Sequence, residues 1–156
     1  MLISYRWLQR HVDLSGISPE QLCHDLTLST AEVEGLERFA PHLMDVVVGH
    51  VTQREKHPDA DTLSVCRVDV GSAAKEGSEE LSIVCGAPNV DSGQKVAVAM
   101  VGTVLPGDFK IKKSKIRGVA SQGMICSVRE LELGEEHDGI WVLPESAEVG
   151  RPVAEA

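Results

Sequence analysis

A chain of 156 residues, 42% of them hydrophobic, can bury a real core and fits one compact domain, or one plus a fragment. Its formal net charge of −9 excludes a uniformly basic surface, so contact with any polyanion has to be confined to a local patch. No apolar run approaches the roughly 20 residues of a membrane helix, and residues 1–7 lack the charged start and long apolar stretch of a signal peptide, so a cytoplasmic protein with no membrane partner is expected.

Ser4 is placed to cap a first helix in which Tyr5, Leu8 and Val12 recur on one face, and residues 13–16 end it. Ser18, Pro19 and Gln21 mark a second start: an N-cap serine, a proline at the first helical position and a glutamine able to reciprocate the cap. Leu22 and Leu26 then share one face. Residues 32–37 read as a brief strand interrupted at Gly35, and Pro41 closes the segment. A domain boundary is placed there, which makes residues 1–40 a helical lead-in.

From Val46 onward, short β-branched runs alternate with Gly, Pro, Asn and Asp, the punctuation of an all-β barrel or sandwich. Strands are predicted over 46–53, 63–70, 81–85, 95–101, 109–111, 124–126 and 140–143. Residues 57–61 form a turn whose two aspartates can accept backbone N–H bonds, and Pro106-Gly107-Asp108 a tight turn. Ser127 and Glu130 make a capping box that predicts one short helix, stopped by Gly134. The polar residues 71–80 predict a mobile hairpin loop.

Cys23, Cys66, Cys85 and Cys126 are widely spaced with no C-x-x-C pair, which predicts free, mostly buried thiols rather than a zinc site or a Cys85–Cys126 bridge. The six histidines stand without ligand spacing, and His57 is expected to bond backbone within its loop. With no G-x-S-x-G elbow and no phosphate-binding G-x-x-x-x-G-K loop, neither a catalytic residue nor a metal site is predicted.

Charge is segregated along the chain. Lys110, Lys112, Lys113, Lys115 and Arg117 crowd together, and the carboxylates from Glu130 to Glu148 follow with no lysine or arginine among them. Alternation of Lys110, Ile111 and Lys112 puts both lysines on one face of a strand with the isoleucine inward. Charge of this density holds phosphates and releases their counterions, so binding weakens as salt rises. The alternative is a solvated hairpin edge whose lysines merely block strand pairing. Aromatic residues make up only 3% of the chain, so any nucleic-acid contact is expected to read the shape and backbone of a folded RNA instead of stacking on single strands.

The runs HPDADTL at 57–63, IVCGAPN at 83–89, VLPGDFKIK at 104–112 and KIRGVASQGMICS at 115–127, followed by Gly139, Ile140, Leu143 and Pro144, resemble in order the tRNA-binding OB module of bacterial phenylalanyl-tRNA synthetase beta chains. Related modules occur in free-standing tRNA-binding proteins and as appendages of methionyl and tyrosyl synthetases. The lead-in, with Ser4, Trp7, Leu8, Val12 and EVEGL at 32–36, resembles the opening of the phenylalanine enzyme's beta subunit. The resemblance implies a mainly β fold: a five-stranded OB barrel with extra short strands and a short helix over residues 41–151, behind a small α+β lead-in, with residues 152–156 resuming the N-terminal domain.

By the same resemblance, the chain is a non-catalytic tRNA-binding segment of a phenylalanine–tRNA ligase. ATP and magnesium serve the whole α2β2 enzyme and no cofactor binds this segment; the partners are tRNA and the alpha subunit. Ser121 and Met124 are implied to lie at the RNA-facing surface, and Asn89 beside Pro88 to face RNA as well. Read from residue type alone, Met124 is a core-strand side chain and Asn89 turn chemistry. Because the family's lead-in is completed by chain beyond the barrel, the segment is expected to be a truncation. Trp7, Leu8, Leu22 and Val33 should then form an exposed apolar patch that favours self-association. Two other readings stay open: a free-standing tRNA-binding or RNA-chaperone protein, and a structural brace with little RNA affinity.

Overall fold

The computed structural model describes residues 1–74 and 80–155, so the centre of the predicted 71–80 hairpin loop lies outside the described residues. Two compact units result, Met1–Phe39 and Ala40–Ala156.

In the first unit, α1 (Tyr5–Leu8) and α2 (Pro19–Ser29) start at the predicted caps. Ser4 Oγ accepts from Trp7 N–H at 3.3 Å and Ser18 Oγ from Gln21 N–H at 3.1 Å. The Gln21 side chain does not reciprocate; it donates to Asp25 at 2.8 Å, one turn on. The strand predicted at 32–37 is absent. A lone strand has no ladder to satisfy its backbone, and here Val33 N–H donates instead to Thr27 Oγ1 at 3.0 Å, which ties the segment to α2. Within this unit only Leu14 is buried, and Trp7 is 53% exposed with its ring 4.6 Å from that of His11. Leu8, Leu22 and Val33 are half-buried.

The second unit is built on β1 (Val46–Lys56), β2 (Ser64–Asp69), β3 (Glu80–Cys85) and β4 (Lys95–Met100). Two short hairpins follow, β5 (Val104–Leu105) with β6 (Phe109–Lys110) and β7 (Ser114–Ile116) with β8 (Val119–Ser121), and then β9 (Gly123–Ile125) and β10 (Val142–Leu143). All pairings are antiparallel: β3 on β2, β2 on β1, β1 on β4, and β9 and β10 end to end on the other edge of β4. β1 serves two partners because it is long, its first half registered on β4 and its second, from His50 onward, on β2 with an irregularity between Val51 and Gln53. Where it crosses the barrel it carries Gly49, at which a Cβ would stand 2.6 Å from Val98 and 2.7 Å from Val68.

Gln122 closes the barrel. Its N–H donates to the Ser82 carbonyl at 2.8 Å and its Oε1 accepts from Ser82 N–H at 3.1 Å, joining the β8–β9 corner to β3. The result is a nearly closed five-strand antiparallel barrel of β1, β2, β3, β4 and β9, as expected of an OB fold. Val47, Val68, Ile83, Val96, Val98 and Ile125 fill one buried cluster, while Val46, Val48, Ala97 and Ala99 point into a second with Leu105, Ile111 and Leu131. Burial on both faces explains why β1 and β4 read as continuous apolar runs instead of alternating ones. Residues 150–153 pack on β1: Val48 N–H donates to the Arg151 carbonyl at 2.8 Å, Pro152 bridges Val47, and Val153 is buried.

The short helix predicted from Ser127 does not form. Its capping box does, with Glu130 accepting from Ser127 N–H at 2.6 Å and Ser127 Oγ–H at 2.8 Å. The chain then turns left-handed at Glu132, φ 49°, and the segment stays a turn. Among the described residues of this unit, the only helical pieces are 3₁₀ turns.

Candidate nucleic-acid interface

β5 and β6 meet through a turn in which Gly107 and Asp108 both have positive φ, 74° and 57°. This tight reversal brings Lys110 out to solvent and turns Ile111 inward, where it is 5% exposed and exchanges backbone bonds with Gly102 and Thr103. Lys112 and Lys113 are again exposed. The predicted alternation therefore holds, although regular pairing ends at Lys110.

The next hairpin was not legible as strands, because Lys113-Ser114-Lys115 offers no apolar alternation. It turns at Arg117 and Gly118, whose φ values of 44° and 87° are those of a two-residue hairpin reversal. His57 anchors it. The buried imidazole accepts from Asp59 N–H at Nδ1, 3.0 Å, and so donates from Nε2 to the Ile116 carbonyl at 3.1 Å, backbone bonding of the kind expected of it. Arg117 Nη1 donates to the Asp59 carbonyl at 3.2 Å. Its guanidinium braces the 57–61 turn with one of five donors and keeps the others for solvent or ligand.

None of Lys110, Lys112, Lys113, Lys115 or Arg117 forms an ion pair among the described residues. None of the later glutamates forms an ion pair with them among the described residues: Glu130 is held by Ser127, and Glu148 pairs with Arg151 at 3.3 Å. A groove of about 1100 Å³ opens beside this segment, and Lys110, Lys112, Ile116, Ser121 and Met124 are among its walls. Lys113, Lys115, Arg117 and Asn89 lie outside its lining.

Two of the expected site residues are engaged in bonds within the fold. Ser121 is 2% exposed; its hydroxyl donates to the Gly123 carbonyl and accepts from Val84 N–H, both at 3.1 Å. β8 lies beside β3, and the inward Ser121 side chain stitches the two together. Asn89 is likewise committed, for its amide exchanges two hydrogen bonds with the backbone of Ile140. Met124 is half-buried, with part of its thioether side chain left to the groove.

Sequence reasoning missed two residues of the groove. Arg129 is exposed on its wall, and its guanidinium has no partner among the described residues; the capping-box pattern had made it look like a helix interior. Phe109 lines the same groove at 56% exposure. Its signal was present, since an aromatic directly before a lysine run is a stacking candidate, but the aromatic content of only 3% had set stacking aside.

Cys66, Cys85 and Cys126 are buried free thiols and Cys23 is half-buried. Burial pushes Cys66 up to about 11 and Cys126 to about 12, and raises Cys85 as well. Among the described residues no group of three His, Cys, Asp or Glu side chains could hold a metal ion, and no helix is long and apolar enough to cross a membrane.

The family described as "Putative tRNA binding domain" matches residues 46–152. The phenylalanine–tRNA ligase beta subunit of Bacillus licheniformis is 53% identical over 156 residues, covering 96% of this chain and 19% of that protein. The subunit of the same name from Nitratidesulfovibrio vulgaris is 54% identical over 150 residues, covering 96% and 18%. The chain thus spans about a fifth of the length of these curated relatives. Among solved structures, a protein titled as MetRS-related from Pyrococcus horikoshii is 28% identical, with a TM-score of 0.49 over 69% of this chain and 87% of its own.

Proposed function

Because this chain belongs to the tRNA-binding domain family, we propose that its barrel binds tRNA through residues 110–117 and the groove beside them, as a non-catalytic segment of a phenylalanine–tRNA ligase beta subunit. The observation that carries this reading is the placement of Lys110 and Lys112, free of ion pairs among the described residues, on the wall of one groove with Met124. On a body of net charge −9, that cluster is where a phosphate chain is attracted.

The whole ligase would supply aminoacylation from other modules, with ATP and magnesium, in the cytoplasm and together with an alpha subunit. The lead-in unit would meet the rest of that assembly through its exposed apolar side chains, such as Trp7, Leu28 and Leu36, and in isolation would self-associate through them. Titration of a tRNA transcript at low and high salt tests the binding role: affinity that falls steeply with salt supports it. A second reading, a brace with little RNA affinity, draws on the acidic surplus and on the carboxylates of Asp108, Glu130 and Asp138 in the groove wall. Absence of binding even at low salt would favour it.

A further inference from the structure

We infer that the groove receives one unpaired nucleobase of the bound RNA, laid against Phe109 and Met124, while Lys110, Lys112 and Arg129 hold the phosphates on either side of it. The inference deepens the RNA-binding reading above and rests on it.

Three observations converge on a base rather than a run of phosphates. First, the barrel unit has only two aromatic residues, Phe109 and Trp141. Trp141 packs against the second core cluster, whereas Phe109 leaves 56% of its surface to water on the groove wall. Second, Phe109 is set in that place by a reversal with consecutive left-handed residues, one of them the non-glycine Asp108 at φ 57°. A backbone of that kind costs free energy and persists where its surroundings hold it.

Third, the charges in the wall balance. Lys110, Lys112 and Arg129 share the lining of one groove with Asp108, Glu130 and Asp138. A phosphate chain along its length would meet as many carboxylates as cations. A neutral base with an apolar face meets no such opposition, and its flanking phosphates can reach the cations, which have no ion pair among the described residues. Aromatic scarcity in the composition argued against stacking as the main mode. Position matters more than abundance here, because one exposed ring beside free lysines suffices for one base.

The consequence is selectivity for RNA with an unstacked nucleotide over a regular duplex, whose bases stay within the stack. The experiment uses the 156-residue chain and three probes at one salt concentration: a tRNA transcript, an oligoadenylate of about eight nucleotides, and an RNA duplex of about 16 base pairs. Phe109→Ala should weaken oligoadenylate and tRNA binding about tenfold, the size of one base–aromatic stack, and leave the duplex unchanged. Phe109→Trp should restore the loss. Phe109→Leu, which keeps apolar bulk without a ring, should behave as the alanine variant does and serves should that variant fail to fold.

Equal affinity of Phe109→Ala and the parent for all three probes, or an equal loss on duplex and oligoadenylate, overturns the inference. Lys112→Glu is measured in parallel. If it loses tRNA affinity while the Phe109 variants do not, the base site falls and the RNA-binding reading stands; if the parent binds none of the probes, both fall.

Discussion

Asn89 grips both polar groups of a single residue 51 positions away: its Nδ2 donates to the Ile140 carbonyl at 3.0 Å and its Oδ1 accepts from Ile140 N–H at 2.8 Å. The amide side chain stands in for a neighbouring strand at a point where none reaches, so the segment entering β10 is held to the loop after β3. Gly139 leaves room for this clamp, since a Cβ there would lie 2.3 Å from Asn89 Oδ1.

Asn89→Ala should therefore destabilise the barrel by about 1–3 kcal/mol, the cost of leaving backbone groups without their partners. Gly139→Ala should have a similar effect by pushing the amide aside. Urea denaturation of the two single variants and the double one checks both, and the double should cost less than the sum because each change breaks the same clamp.

Ser121→Ala tests whether this serine stitches the fold or contacts RNA. Loss of its bonds to Val84 N–H and the Gly123 carbonyl should lower stability by about 1–2 kcal/mol. At a temperature where the variant remains folded, its tRNA affinity should match the parent's. A selective loss of tRNA binding with unchanged stability would return the hydroxyl to the interface.

Lys112→Glu should weaken tRNA binding and reduce the slope of log affinity against log salt by about one for each phosphate that the variant no longer neutralises. Lys113→Glu changes the same charge outside the groove lining and should have the smaller effect. Electrophoretic mobility shifts over a salt series would measure both, and equal effects would mean that general charge, not the groove, decides binding.

The thiols give a pH dependence of definite sign. Cys66 and Cys126 are pushed up to about 11 and about 12 by burial, from an ordinary value of 9.0. Between about 9 and those values the folded state holds protons that the unfolded chain has released, so stability falls as pH rises through that window and is fully present below it. Thermal unfolding between neutral pH and about pH 10 should record the decline, and a maleimide at neutral pH should label half-buried Cys23 before Cys66, Cys85 and Cys126.

What could be read from the residues was whatever depends on near neighbours. Val46–Val48 and the apolar run at 96–99 announce strands because burial on both faces requires unbroken apolar side chains. Ser4, Ser18 and Ser127 announce turns or caps because their partners lie three positions on. The order of motifs from His57 to Pro144 announced the family. Local signals failed where a distant partner decided the outcome: the capping box formed at Ser127, yet the chain left the helical path at Glu132, and residues 32–37 had β-like residues but no ladder to join. The interface belongs to the same class. Lys110 and Arg129 share a groove wall, Ser121 and Asn89 turn to bonds within the fold, and Phe109 stays in water. Tertiary structure alone could settle these positions, because a side chain's exposure and free donors are set by which strands close the barrel around it, and that closure joins residues such as Ser82 and Gln122 that are 40 positions apart.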